Sequence, residues 1–222
     1  MVDEFKDFYE EEGKHIRSDE TNPDVIVRFK HMILPLLEKT NVTKVLDVGC
    51  SDGYLVSQLR GIGNLANGID ISPFRINYAN DKYGNYFKVG SAYNIESDDN
   101  SYQMVIASEV IEHLDDPDAA IREFKRVADR YILLTVPYKE KKVLDVCPHC
   151  LKMFCRSGHI NYYDMDIINE LTARHNLKII GTKKVAYYPF INFPFPISHM
   201  VNFALKLLDK TTYIAILCEV SK

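Results

Sequence analysis

The sequence predicts an α/β fold: an open, mostly parallel sheet of seven strands, with helices on both faces and an antiparallel last strand. Three observations predict it. Short apolar runs alternate with helix-length segments from Lys44 to Val136, the rhythm of βαβ units, because parallel neighbours need a crossover between them. The first run ends in a glycine-bearing turn that leads straight into a helix pattern. The last two runs break the rhythm, since no capped helix of the usual kind separates them, and an antiparallel final strand fits that break.

The elements follow in order. Asn22-Pro23 reads as a helix start, and Val25, Ile26, Phe29, Met32, Ile33, Leu36 and Leu37 recur at helical spacing, giving an amphipathic helix inside an N-terminal segment 1–42. Strands are predicted over Lys44 to Val48, Leu65 to Ile71, Tyr86 to Val89, Met104 to Ala107, Tyr131 to Val136, Leu177 to Val185 and Tyr213 to Val220. Helices fall between them at Tyr54 to Arg60, Pro73 to Lys82 and Pro117 to Ala128, with a further one over Ile197 to Leu208. Two segments read as insertions, a Cys/His-rich one at 139–163 and an aromatic-rich one at 187–210. Both follow strands, where α/β folds place binding loops. The whole chain, 1–222, reads as one domain with these embellishments.

Composition narrows the function classes. With 46% hydrophobic and 26% charged residues the chain is an ordinary globular protein. A net charge of -4 gives no overall basic face for a nucleic acid, which leaves only a local patch for such a partner. The stretch MVDEFKDFYEEEGKHIRSDE lacks the apolar centre of a secretory signal, and no run reaches membrane-spanning length, so a cytoplasmic protein is expected. Five cysteines, three of them within nine residues, suit reduced thiols or a metal better than a disulfide framework.

The glycine turn carries the main functional signal. Asp47-Val48-Gly49-Cys50-Ser51-Asp52-Gly53 ends the first strand, and Gly49 and Gly53 allow a sharp turn and close approach of a ligand to the main chain. A dinucleotide fingerprint needs glycine two and five residues after Gly49, and Ser51 and Tyr54 stand there instead. S-adenosylmethionine carries no pyrophosphate, and an acid ahead of the glycines, Asp47, is placed to meet its aminoacyl end. Asp70 lies at the end of the second strand, where a carboxylate can accept from both ribose hydroxyls. Ile71 follows to face the adenine, and Ser72-Pro73 reads as a cap with proline at the first helical position.

With Ser108-Glu109-Val110-Ile111-Glu112-His113-Leu114 following in order, the chain resembles the class I S-adenosylmethionine-dependent methyltransferases, whose sheet is Rossmann-like. The resemblance implies that Asp47, Gly49, Ser51 and Gly53 line the aminoacyl and ribose portions, Asp70 the ribose, Ser91 and Ala92 the adenine edge, and Ser108 the methionine. Two positions depart from the common pattern: Ser51 replaces a glycine, and Ser91 stands where an aspartate often meets the adenine amino group.

Three further features bear on the acceptor. Glu109, Glu112 and His113 fall on one side of a helical turn, giving His113 as a candidate general base. The same stretch resembles ubiquinone-biosynthetic and small-RNA 2′-O-methyltransferases, which implies a divalent metal on these carboxylates and imidazole; ordinary backbone orientation and packing is the competing reading. Cys147, Cys150, Cys155 and His159 give four borderline or soft ligands in thirteen residues, a pattern suited to tetrahedral zinc, with His149 as a substitute. Packed thiols, with His159 turned toward His113, are the alternative. Tyr187 to Pro196 is dense in aromatics, suited to an apolar pocket wall or to core and dimer packing. The expected activity is methyl transfer to an oxygen or nitrogen of a small-molecule acceptor. A non-catalytic cofactor-binding protein, using the zinc-like insert to contact a partner or nucleic acid, is the alternative.

Overall fold

The computed structural model describes Glu11 and residues 22–155, 157–185 and 211–221. The expected helix at Ile197 to Leu208 and the aromatic run Tyr187 to Pro196 lie outside the described residues.

Helix α1, Pro23–Arg28, is capped by the Asn22 side chain, which accepts from the Asp24 N–H. It runs on through a π-helical turn, Phe29–Ile33, into α2, Leu34–Leu37. The sequence predicts one regular helix here. Pro35 has no N–H to give to the carbonyl four residues back, and a widened turn just ahead of it accommodates the missing bond. The apolar face is nonetheless the one predicted: Phe29, Met32, Ile33, Leu36 and Leu37 are all buried.

Then follow β1 Lys44–Val48, α3 Tyr54–Gly61, β2 Leu65–Asp70, α4 Pro73–Tyr83, β3 Phe87–Val89, β4 Tyr102–Ser108, α5 Pro117–Val127 and β5 Ala128–Pro137. The chain continues with β6 Leu144–Val146, β7 Met153–Cys155, α6 Met165–Arg174, β8 Leu177–Val185 and β9 Tyr213–Val220. The local chemistry explains the boundaries. Ser72 caps α4 by accepting from Arg75 N–H, Asp116 caps α5 through Ala119 N–H, and Asp164 caps α6 through Ile167 N–H. Along α5 the buried residues Ala120, Ile121, Phe124 and Val127 recur at three- and four-residue spacing, so one stripe faces the sheet.

Seven strands pair in the order β3-β2-β1-β4-β5-β9-β8. Strands β1 to β5 are mutually parallel, and β9 runs antiparallel to both β5 and β8. The last strand therefore runs against all the others, as the broken rhythm predicts. Strand order reverses at β1, which has β2 on one side and β4 on the other; open α/β sheets form their binding crevice beyond the carboxyl ends of the strands at such a switch point. Apolar layers cover both faces of the sheet, one containing Phe124, Ile121 and Ile132, the other Met32, Leu36 and Leu59.

The insert 139–163 is a closed loop whose ends meet: Lys139 N–H donates to Tyr163 O at 2.8 Å. Inside it β6 and β7 form a separate antiparallel hairpin. The sequence does not predict these strands. Each has only three residues, too few for a period-two pattern to stand out, and Val146 and Met153 are 56% and 64% exposed.

Candidate functional site

The turn after β1 is built from three left-handed residues, Gly49 (φ 75), Ser51 (φ 50) and Gly53 (φ 84). Glycine is demanded at two of them by sterics as well as by φ. A Cβ on Gly49 would lie 2.5 Å from Val110 Cγ2, and one on Gly53 2.6 Å from Phe87 Cζ. Ser51, which carries a Cβ in the same region, donates its N–H to Asp70 Oδ2 at 3.0 Å, and Arg75 donates to its hydroxyl.

Asp70 thus clamps the turn from the end of β2. Its other oxygen accepts from Ser72 N–H at 2.9 Å. Asp47 is 2% exposed and Asp70 8%, and Asp52 is fully buried beneath the turn. Cys50 reports their combined field: burial raises its thiol well above the ordinary value, and Asp70, Asp47 and Asp52 push it further. A turn ringed by three carboxylates favours a cationic, hydroxyl-bearing ligand and disfavours a pyrophosphate. Ile71 is half-buried beside Asp70. Ser91 and Ala92 follow β3, whose end is tied to Asp70 by Gly90 N–H donating to Asp70 O at 2.9 Å. The Ser91 hydroxyl accepts from Tyr93 N–H at 3.2 Å within its own turn.

On the other side of the crevice β4 ends at Ser108, whose hydroxyl bonds Thr135 at 2.9 Å. Thr135 in turn donates to Glu109 Oε1 at 2.8 Å. Glu109 holds φ 57, a strained backbone for a side chain of this size. The chain then forms a 3₁₀ turn, Ile111–His113. Glu112 is fully buried and neither carboxylate oxygen has a hydrogen-bond partner. Burial pushes its carboxyl well up, and the neighbouring Glu109 adds to that. Glu109 itself is raised by burial, against the pull of the Arg28 guanidinium. His113 is pushed down to about 4, chiefly by burial and next by the imidazole of His159, so it is neutral near pH 7.

The insert brings His159 to the same place. Ile160 and Asn161 donate their N–H groups to Glu112 O at 2.9 and 3.0 Å, Asn161 Nδ2 reaches Ile111 O and Leu114 O, and Tyr163 Oη reaches Ile111 O. The His113 and His159 rings meet edge to face, 4.7 Å apart. His159 Nδ1 is held by Glu140 Oε2 at 2.5 Å, and His113 Nδ1 lies 3.3 Å from Gly158 O. One ligand atom each of Glu112, His113 and His159 lies within 4.8 Å of the others.

Comparison with known proteins decides the family. A family profile described as a methyltransferase domain matches residues 16–182, well over half of the chain. The chain belongs to the methyltransferase family. S-adenosylmethionine is its cofactor. Solved structures share the fold of this methyltransferase across its length. A putative methyltransferase in complex with the Haloferax volcanii Trm112 methyltransferase activator is 18% identical, with a TM-score of 0.68 over 98% of this chain and 97% of that one. An S-adenosylmethionine-dependent methyltransferase from Archaeoglobus fulgidus is 15% identical, with a TM-score of 0.62 over 97% and 99%. Magnesium protoporphyrin IX methyltransferase from Synechocystis PCC 6803, with S-adenosylmethionine bound, is 16% identical, with a TM-score of 0.60 over 97% and 95%.

The methyltransferase departs from the four-ligand zinc arrangement expected for its insert. Cys147 and Cys150 are in contact in the hairpin turn. Cys155 pairs with Leu144 on the ladder, three positions from Cys147, which is roughly 10 Å along a strand. Its sulfur lies against Tyr162 Oη at 3.1 Å and Ser157 Oγ at 3.4 Å, while His159 joins His113 and Glu140. The hairpin register separates the sulfurs that sequence spacing places together. His113 sits with His159, as the alternative reading of the insert has it, and Glu109 faces Thr135.

Sequence reasoning missed Arg28, Thr135, Glu140, Asn161 and Tyr163. Arg28, from α1, stacks 5.3 Å over the Tyr213 ring and acts on Glu109. An arginine beside an otherwise apolar helical stripe was the available signal. The others take part through contacts across distant segments and leave no local pattern. Among the described residues no helix is long and apolar enough to cross a membrane.

Proposed function

We propose that this methyltransferase moves the methyl group of S-adenosylmethionine to an oxygen or nitrogen of a small acceptor seated over Glu112, His113 and His159. One observation carries this reading: Val110 packs onto Gly49 so closely that a Cβ there would sit 2.5 Å away. The glycine turn and the loop bearing Glu109, Glu112 and His113 are therefore packed together, which supports seating the acceptor between the turn and the two imidazoles.

When bound, the cofactor supplies an electrophilic methyl group on a sulfonium sulfur. The chain's own residues bind and orient around it. Asp47 faces the cationic aminoacyl end, Asp70 accepts from the ribose hydroxyls, Ser91 and Ala92 border the adenine, and Ser108 flanks the methionine. His113 is neutral at physiological pH, so an imidazole nitrogen is available to accept the proton that the acceptor releases. Glu140 fixes the orientation of His159 by holding Nδ1, which turns Nε2 toward the acceptor side. Burial excludes water and leaves positioning as the main contribution to rate. We place the reaction in the cytoplasm, where the five unbridged cysteines stay reduced.

A second reading is favoured by Glu112, a buried carboxylate whose two oxygens lack hydrogen-bond partners. With His113 and His159 it would hold a divalent cation, which would supply Lewis acidity toward an acceptor hydroxyl. Incubating the protein with cell extract and methyl-labelled cofactor tests the main reading. A labelled small molecule, absent with His113→Ala, supports it; label confined to protein or RNA, or no label, refutes it. Added Mg²⁺ or Mn²⁺ should raise the rate of the wild type and not of Glu112→Gln if the cation takes part.

A further inference from the structure

We propose that Cys147 and Cys150 are half of a zinc site completed by a second copy of this chain, a four-thiolate clasp to which each copy gives one Cys-x-x-Cys pair. The pair lies in the turn joining β6 and β7, closed by Cys147 N–H donating to Lys152 O and Leu151 N–H donating to Cys147 O, both at 2.9 Å. Within it the Cys147 sulfur accepts from the backbone N–H groups of Cys150 and His149 and from the Cys150 thiol. The two sulfurs are thus already adjacent, and the main chain orients the first. Zinc–sulfur bonds of about 2.3 Å at tetrahedral angles place two ligand sulfurs roughly 3.8 Å apart, the separation that a Cys-x-x-Cys turn is suited to supply.

Among the described residues no third ligand atom gathers with the two thiols, the ring of His149 between them included. Cys155 and His159 are engaged elsewhere. Among the described residues the ligand atoms that gather in threes belong to Glu112, His113 and His159, not to the hairpin. Two thiolates leave half of a tetrahedron open. A two-fold axis beside the turn brings an identical pair from the second copy and closes the site, because in such an interface one patch meets itself.

The hairpin surface supports the same occupant independently. Leu144, Val146, Leu151, Met153 and Phe154 are 44%, 56%, 76%, 64% and 48% exposed around the cysteine pair. A lone hairpin of two three-residue strands is marginal in water; the register puts Leu144, Val146 and Met153 on one face, and burying that face stabilises it. Two hairpins packed about a shared ion cover these side chains mutually, and zinc binding orders the turn. The proposal is independent of the acceptor and of methyl transfer.

The test uses the full chain, kept reduced and stripped of metal, then titrated with zinc while mass is followed by light scattering and metal by elemental analysis. The metal-free chain should run at 25.6 kDa, and zinc should shift it to twice that mass with one ion per two chains. Cys147→Ser and Cys150→Ser should each weaken zinc binding and dimerisation at least tenfold while S-adenosylmethionine binding is retained. Leu151→Asp should weaken the dimer at least tenfold with its thiols intact. One zinc per monomer, a dimer that forms equally without zinc, or zinc binding unaffected by Cys147→Ser overturns the proposal.

Discussion

Gly49 is the tightest point of the turn proposed to hold the cofactor, because two constraints meet at one atom. Its φ of 75 is costly for any side chain, by about 1–2 kcal/mol, and its missing Cβ is the space Val110 fills. Gly49→Ala should weaken S-adenosylmethionine binding at least tenfold by calorimetry. Adding Val110→Ala should recover part of the loss, since it relieves the contact and leaves the backbone strain. At Glu112 the account predicts a gain. Its carboxyl is raised in the folded protein, so its contribution is fully present below the ordinary value of 4.5 and is lost as pH rises through the raised one. Glu112→Gln should therefore raise Tm at pH 7 in metal-free buffer. His113 acts at the other limb: its folded value of about 4 lies below the ordinary 6.5, so its contribution is complete above 6.5 and lost as pH falls through 4. Thermal scans across that window should show a shallower acid loss for His113→Gln. Asp47, Gly49, Gly53 and Asp70 were legible in the sequence because turn sterics and strand ends are local properties. The Arg75–Ser51 and Glu140–His159 pairings were not, since each joins residues 24 and 19 positions apart with no periodic mark.

The elements that meet at the proposed acceptor site are the 3₁₀ turn Ile111–His113 and the returning segment of the insert, residues 158–163. Asn161 is the pin between them, giving its amide to Ile111 O at 3.2 Å and Leu114 O at 2.6 Å. Asn161→Ala removes the side-chain donor to Leu114 O and leaves Ile111 O with Tyr163 Oη, a loss of about 1 kcal/mol, and frees His159 to drift from His113. The expected result is a fall in kcat of tenfold or more with cofactor affinity unchanged. Equal losses in both would point to general unfolding instead. Strand and helix positions from Lys44 to Val136 were readable from alternation, and Ser72 and Asn22 capped helices where their side-chain chemistry suggests. The π-helical turn was not readable as such, although its cause, Pro35, stands in plain view. The β6–β7 register decides which thiols can share an ion, and spacing along the chain carries no register.

At the scale of the whole molecule, strand order does the positioning. Because β1 lies between β2 and β4, the carboxyl ends of three adjacent strands deliver Asp70, the glycine turn and Ser108 to one crevice. The antiparallel β9 separates β5 from β8 and lets Tyr213 stand beneath Arg28 from the N-terminal helix. Topology of this kind followed from the sequence as a class, while the meeting of α1, the insert and the β4 loop required the folded chain. Calorimetric titration of the wild type and of Asp70→Ala with S-adenosylmethionine and with NAD shows whether the acidic glycine turn holds the cofactor. One saturable S-adenosylmethionine site per chain, weakened at least tenfold by Asp70→Ala, with no NAD binding, is expected; saturable NAD binding, or none for S-adenosylmethionine, overturns the assignment of the turn.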